Sequence, residues 1–261
     1  MKNDFESLWL AEERAACMDG WDFSYLEGRC REDGPPWDYR AEIQKYLTPE
    51  MTLLDVDTGG GEFLLSLHHP YHKTCVTEGY GPNVELCRRA LCPLGIEFRE
   101  ADGKGRLPFS DGAFDLVINR HGDFNAEEIF RVLKPGGIFV TQQVGAQNDR
   151  ELVALLMGEA ALPFPEQTLA GIREKFRSAG FSTVLRAEES FSSIRFYDVG
   201  ALVWFARIIE WEFPGFSVKT HLSNLRKAQE ILEKRGVLEG SAHRILLSVQ
   251  KPRSKEEETN A

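Results

Sequence analysis

An apolar run that ends in an acid and passes straight into glycines makes Leu53-Leu54-Asp55-Val56-Asp57-Thr58-Gly59-Gly60-Gly61-Glu62-Phe63-Leu64 the stretch best suited to holding a nucleotide-type cofactor. Glycines let backbone N–H groups approach a ligand without a Cβ in the way, and a helix opening at Glu62 would aim its positive end at the same place. The spacing weakens two phosphate chemistries. A dinucleotide fingerprint needs a third glycine three residues after the second, and with Gly59 and Gly61 as the first pair that position holds Leu64. No Gly-Lys-Ser/Thr follows to hold a triphosphate. Thr74-Cys75-Val76-Thr77-Glu78 is a second β-prone run ending in an acid. Glu78, seventeen positions past Gly61 and followed by Gly79, is spaced to reach the ribose hydroxyls of a bound nucleoside.

Further runs follow in order: Ile96-Glu97-Phe98-Arg99 leading to Asp102, then Leu107-Pro108-Phe109, Phe114-Asp115-Leu116-Val117-Ile118, and Leu133-Lys134-Pro135-Gly136-Gly137-Ile138-Phe139-Val140. With these motifs in this order the chain resembles the class I S-adenosylmethionine-dependent methyltransferases, in particular the methyltransferase-domain group that includes ubiquinone/menaquinone C-methyltransferases. The resemblance covers roughly residues 51–144, with weaker agreement to about 188 and again at the final strand.

The resemblance implies S-adenosyl-L-methionine as cofactor, bound by Asp55, Gly59, Gly61, Glu78, Gly79, Asp102, Asn119 and Arg120. It implies that Asp55 orients the loop or meets the cofactor ammonium, that Asp102 lies against the adenine amine, and that Asn119 contacts the methionine moiety. Arg120 either neutralises an acidic substrate or forms a surface ion pair. The chain departs from the family at Asp57, where the first glycine of the motif belongs. An acid there opposes the carboxylate of the methionine end, pairs with its ammonium, points to solvent, or caps the next helix.

In the family the exit of the fourth strand faces both sulfonium and acceptor, and here it reads Ile118-Asn119-Arg120-His121-Gly122-Asp123. His121 is the candidate catalytic residue: an imidazole could take the proton of a hydroxyl, amine or acidic carbon as the methyl moves. The alternative is a loop residue that supports the cofactor's backbone contacts. Methyl transfer itself rests on alignment and exclusion of water, so a base is not required. His68-His69-Pro70-Tyr71-His72 has no Cys or carboxylate at ligand spacing, and no metal is expected.

These motifs need an α/β frame to position them. Strands alternating with helices at 62–67, 83–91 and 126–133 predict a parallel sheet with helices on its faces. Helices at 151–160 and 168–178, a strand at 181–185 and a final strand at 243–249 would complete a Rossmann-like, seven-stranded, mostly parallel sheet, the last strand turning back antiparallel as the resemblance implies. Organisation is expected as an N-terminal cover (1–50), the cofactor-binding α/β domain (51–188), a helical and aromatic insertion (189–241), the final strand (242–253) and a disordered tail (254–261). The insertion carries Phe191, Phe196, Tyr197, Trp204, Phe205, Trp211, Phe213 and Phe216, then a charged helix at 222–235. It is a candidate substrate cap, although most of these aromatics are expected to form a satellite core.

At 261 residues and 42% hydrophobic the chain is long enough for a full core. A net charge of −10 argues against a broad nucleic-acid surface. No apolar run is long enough to span a bilayer and the first residues lack a cationic-then-apolar leader, so the chain reads as cytoplasmic. Five cysteines without a CxxC pair read as reduced thiols. Taken together, the expected function is methyl transfer to a small, partly apolar molecule. The alternatives are an RNA or protein methyltransferase and a non-catalytic protein that keeps the fold; oligomeric state is not written in the sequence.

Overall fold

The structure is a computed structural model and describes residues 4–17 and 22–253; the tail expected at 254–261 lies outside the described residues. By chain contacts it divides into two units. One comprises Met1–Pro35, Gly145–Pro165 and Ser190–Arg244; the other comprises Pro36–Val144, Glu166–Glu189 and Ile245–Ala261.

The second unit is built on β2 (Leu53–Val56), whose residues are all buried. β2 pairs in parallel with β3 (Thr74–Glu78) and with β5 (Phe114–Arg120). β3 pairs in parallel with β4 (Glu97–Glu100), and β5 with β6 (Leu133–Val144). Parallel neighbours require a crossover between them, and α3 (Glu62–Leu65), α4 (Gly81–Ala90) and α5 (Ala126–Val132) occupy those connections. α5 begins where the sequence says it should: the Asn125 side chain accepts N–H groups of Glu127 and Glu128, and acids fill the first turn while Arg131 sits in the last. α7 (Leu169–Ser178) starts at Thr168, whose hydroxyl accepts the Gly171 N–H.

Adjacent residues of one strand feed opposite faces of the sheet, because strand side chains alternate. Leu54, Val117, Phe139 and Ile245 enter one apolar cluster with Ile129 and Phe176. Their neighbours Leu53, Leu116, Val140 and Leu246 enter the other with Leu91 and Ile43.

With β1 (Cys30–Glu32), β7 (Thr183–Phe196) and β8 (Leu238–Gln250) the strand order is β1-β7-β8-β6-β5-β2-β3-β4. The sheet therefore has eight strands where seven were expected. The additional strand, β1, pairs antiparallel with the end of β7. It is only Cys-Arg-Glu, too short for alternation to show. β8 runs against β6, as expected: Lys251 donates to Gly137 O and Gly145 to His243 O, so one strand's numbers fall as the other's rise.

The first unit contains α1 (Phe5–Ala15), α6 (Arg150–Met157), α8 (Val199–Ile208) and α9 (Leu222–Arg235). Of the aromatics between 189 and 241, Phe196, Trp204, Phe205, Phe213 and Phe216 join its core with Trp9, Leu156 and Leu225. Phe191, Tyr197 and Trp211 are exposed. α8 starts at Asp198, whose carboxylate accepts the Ala201 N–H at 2.7 Å, and is buried from Val199 through Ala206.

Candidate cofactor site

The glycine loop leaves β2 through Asp57, held in the left-handed region at φ 53°. Its N–H groups turn onto β3: Thr58 donates to Thr77 O at 3.0 Å and Gly59 to Glu78 Oε2 at 2.8 Å. The other oxygen of Glu78 takes the N–H groups of Gly79 and Tyr80, each at 2.8 Å. Glu78 thus clasps the loop after β2 to the loop after β3. Gly61 (φ 84°) opens α3, and a Cβ there would run into the Leu91 side chain. α3 is shorter than the expected 62–67 helix, ending at Leu65 with Ser66 as its cap, so its dipole contributes little. A loop whose N–H groups are engaged this way, beside carboxylates, is no phosphate cradle.

Asp55 is 4% exposed, and Thr58 donates its hydroxyl to Asp55 Oδ2 at 2.7 Å. Burial pushes its carboxyl up to about 7; Asp57 and Glu78 add to the rise, while Thr58 and Arg120 oppose it. Burial likewise lifts Asp57 to about 7, reinforced by Glu78 and Asp123, against the N–H groups of Asp123 and Gly103. Asp57 neither points to solvent nor caps α3. Its Oδ2 accepts the Asp123 N–H at 3.0 Å, whereas its Oδ1 is buried and unpartnered. Beside Glu78, Asn83 donates to Oε2 at 3.4 Å and its own Oδ1 is buried and unpartnered. The donor set of the site is therefore acidic, with two buried acceptors lacking donors. It fits S-adenosylmethionine, which carries a sulfonium, an ammonium and ribose hydroxyls, better than any polyphosphate.

At the exit of β5 the expected residues divide. Asn119 is fully buried in register with Val56 of β2 and Thr141 of β6. Its carboxamide donates to Val56 O and Asp123 O and accepts from Thr141 and Gln143, so the side chain knits strand ends together. Arg120 is exposed, its guanidinium 5.2 Å from the centre of the Phe63 ring. His121 has φ 60°, its N–H bonded to Gln142 O at 2.8 Å and its Nε2 3.0 Å from Gln142 Nε2. Asp102, after β4, is exposed and uses Oδ1 to accept from Lys104 and Gly105. Gly79 packs so closely on Asp102 that a Cβ would lie 2.9 Å from its Cβ.

The structure thus gathers Asp55, Gly59, Gly61, Glu78, Gly79, Asn119, Arg120 and His121 at the carboxyl ends of β2, β3 and β5, with Asp102 following β4. Sequence reasoning missed Asn83, Gln142 and Trp37. Gln142-Gln143, a polar pair inside an apolar strand, was the available signal.

Residues 54–141 match the family model described as a methyltransferase domain. Among curated proteins, demethylmenaquinone methyltransferase from two strains of Leptospira interrogans is 30% identical over 119 residues, covering 40% of this chain and 47% of the relative. The chain thus spans about half the length of the curated relatives it matches. Among solved structures, the YcgJ protein of Bacillus subtilis aligns at 18% identity and a TM-score of 0.55, over 83% of this chain and 98% of that one. A putative methyltransferase of Bacillus halodurans aligns at 19% and 0.54, over 82% and 99%. The [4+2]-cyclase SpnF aligns at 17% and 0.50, over 95% and 92%. Residues 54–141 thus match a methyltransferase domain, and the chain shares the fold of the solved structures it aligns with.

Proposed function

We propose that this chain transfers the methyl group of S-adenosylmethionine to a small, partly apolar molecule. The observation that carries the cofactor part is the acidic loop itself: Asp55, Asp57 and Glu78 crowd one turn, and Asp57 Oδ1 and Asn83 Oδ1 are buried acceptors in want of donors. In this reading Glu78, supported by Gly59 and Gly79, meets the ribose, Asp55 and Asp57 meet the ammonium, and Gly61 keeps the loop close. Asp102 serves the adenine, and Asn119 and Arg120 hold the floor of the site. The bound cofactor supplies an electrophilic methyl; the protein's task is to align it and keep water away. A small acceptor is supported by the net charge of −10, which disfavours a polyanion, and by the name of the Leptospira relatives.

A non-catalytic binding role is favoured by one observation. The loops after β4 and β5 touch across the acidic turn, for a Cβ on Gly103 would clash with Asp123 O and lie 3.1 Å from Asp57 Oδ2. Calorimetry with S-adenosylmethionine and S-adenosylhomocysteine, on the wild type and on Asp57→Gly, tests the cofactor part; binding by neither protein sinks it. Transfer of a labelled methyl group from the cofactor into a metabolite extract then separates enzyme from binder.

A further inference from the structure

Trp37 Nε1 has a proton to give and no lone pair to offer, and it donates to Gln142 Oε1 at 2.8 Å. That contact decides which way round the Gln142 carboxamide lies. Its oxygen faces Trp37, so its nitrogen faces His121, 3.0 Å from Nε2. An amide nitrogen donates and does not accept, so Nε2 of His121 is the accepting, unprotonated nitrogen. A neutral imidazole with its lone pair on Nε2 carries its proton on Nδ1. Trp37 is 8% and Gln142 5% exposed, so water competes little for the bond between them, whereas His121 itself is exposed. The backbone reinforces the relay: Arg120 and Gln142 face each other in register, and the His121 N–H bonds to Gln142 O at 2.8 Å.

We infer that Trp37 and Gln142 are positioning residues that hold His121 as the neutral Nδ1–H tautomer, its Nε2 lone pair already engaged, so that His121 acts as a hydrogen-bond donor and not as the base of methyl transfer. The second half rests on the methyltransferase reading above; the tautomer does not. The consequence for the substrate is chemical. A nucleophile that must lose a proton as the methyl moves does not find its base in His121. The acceptor class is one whose reacting atom is already unprotonated at neutral pH: an amine too weakly basic to hold a proton there, such as an aromatic amine, or an oxygen or carbon acid that ionises by itself.

The test is a long-range 15N–1H spectrum of the full chain with 15N-labelled histidine, the His121 signals being identified by their loss in His121→Asn. The wild type should show a protonated, pyrrole-type Nδ1 and an unprotonated, pyridine-type Nε2; the opposite pattern overturns the inference. Glutamate at 142 accepts from both neighbours, so Gln142→Glu should exchange the two signals. Trp37→Phe releases the carboxamide and should leave a mixture of tautomers. Unchanged His121 signals in both variants would likewise overturn the relay. No cofactor is needed for these spectra, so their outcome is separate from that of the cofactor calorimetry.

Discussion

The Asp57 carboxylate accepts the backbone N–H of Asp123 at 3.0 Å, which ties the loop after β2 to the loop after β5. The glycine found at this motif position in the family cannot make that bond. The bond also leaves Asp57 Oδ1 buried with no donor, next to a carboxyl cluster that already repels charge.

Binding of a cation should therefore depend on pH. Asp57 is lifted to about 7 by burial, then by Glu78 and Asp123; Asp55 lies beside it, and Lys104 and Arg120 are the cations acting on this cluster. If the cofactor ammonium needs the ionised acid, affinity rises as pH rises through 7, by about tenfold between pH 6 and pH 8. Asp57→Asn should flatten that profile in calorimetry. Stability moves the other way: a carboxyl raised above its unfolded value contributes stability that is present below about 4 and lost as pH rises through about 7.

Glu78 is the clasp of the site, and its removal should loosen two loops at once. Glu78→Ala strands the N–H groups of Gly59, Gly79 and Tyr80, at about 1–3 kcal/mol for each that water does not reach. Amide hydrogen exchange should speed up at those three positions and at few others. Glu78→Gln keeps one accepting oxygen, so it should release either the Gly59 side or the Gly79 and Tyr80 side, but not both.

The parts of this site visible in the sequence are those that local chemistry dictates. β2 is buried from end to end and β5 from Leu116 through Asn119, and Glu78 follows from the spacing of an acid at a strand end. α9 occupies the expected 222–235 because its charged, periodic face has a glycine, Gly236, to stop it. β7 extends from 183 to 196, well past the expected 185, since Arg186, Glu188 and Glu189 hide its β character. The tie from Asp57 to Asp123 and the relay from Trp37 through Gln142 join residues 66 and 105 positions apart, and no local pattern encodes them.

Gly103 tests how closely the loops after β4 and β5 must approach. The atom a Cβ would meet is the backbone carbonyl of Asp123, which cannot rotate away as a side chain would. Gly103→Ala should destabilise by about 1–3 kcal/mol, read as a lower Tm in thermal unfolding. If loop contact also restricts entry of the cofactor, the variant should bind S-adenosylmethionine with a faster association rate.

Glu42, a buried residue of α2 (Tyr39–Gln44), is an anchor within the second unit. Burial disfavours its charge, yet bonds from Lys45, Arg186, Tyr46 and Ser248 together hold the carboxyl down at about 2. The stability it contributes is present above about 4.5 and lost as pH falls through 2. Glu42→Ala leaves Arg186 with only Glu188 as an acidic partner and should cost about 3–5 kcal/mol near neutrality. The deficit should shrink in urea unfolding as the buffer is taken below pH 4.

Asp149 offers the opposite sign in the first unit. It is 1% exposed, held at φ 55°, and one oxygen accepts from Asn148 at 2.6 Å while the other is buried and unpartnered. Burial lifts it to about 8; Arg244 opposes the rise, and Glu212 and Glu32 add to it. Its folded form therefore keeps a proton that the unfolded chain gives up, and stability falls as pH rises through 8. Asn tolerates the left-handed backbone and keeps an oxygen for Asn148, so Asp149→Asn should be nearly neutral at about pH 4, where the acid is uncharged in both the folded and the unfolded chain. At pH 9 it should be stabilising, on the order of 1–3 kcal/mol, because the amide has no charge to bury. Glu212, lifted to about 7 chiefly by burial, imposes a similar slope at lower pH. Urea unfolding of Asp149→Asn and of the double variant with Glu212→Gln should show the wild-type loss above neutrality removed in two steps. A wild type as stable relative to Asp149→Asn at pH 9 as at pH 4 would mean that Asp149 is ionised and paired throughout.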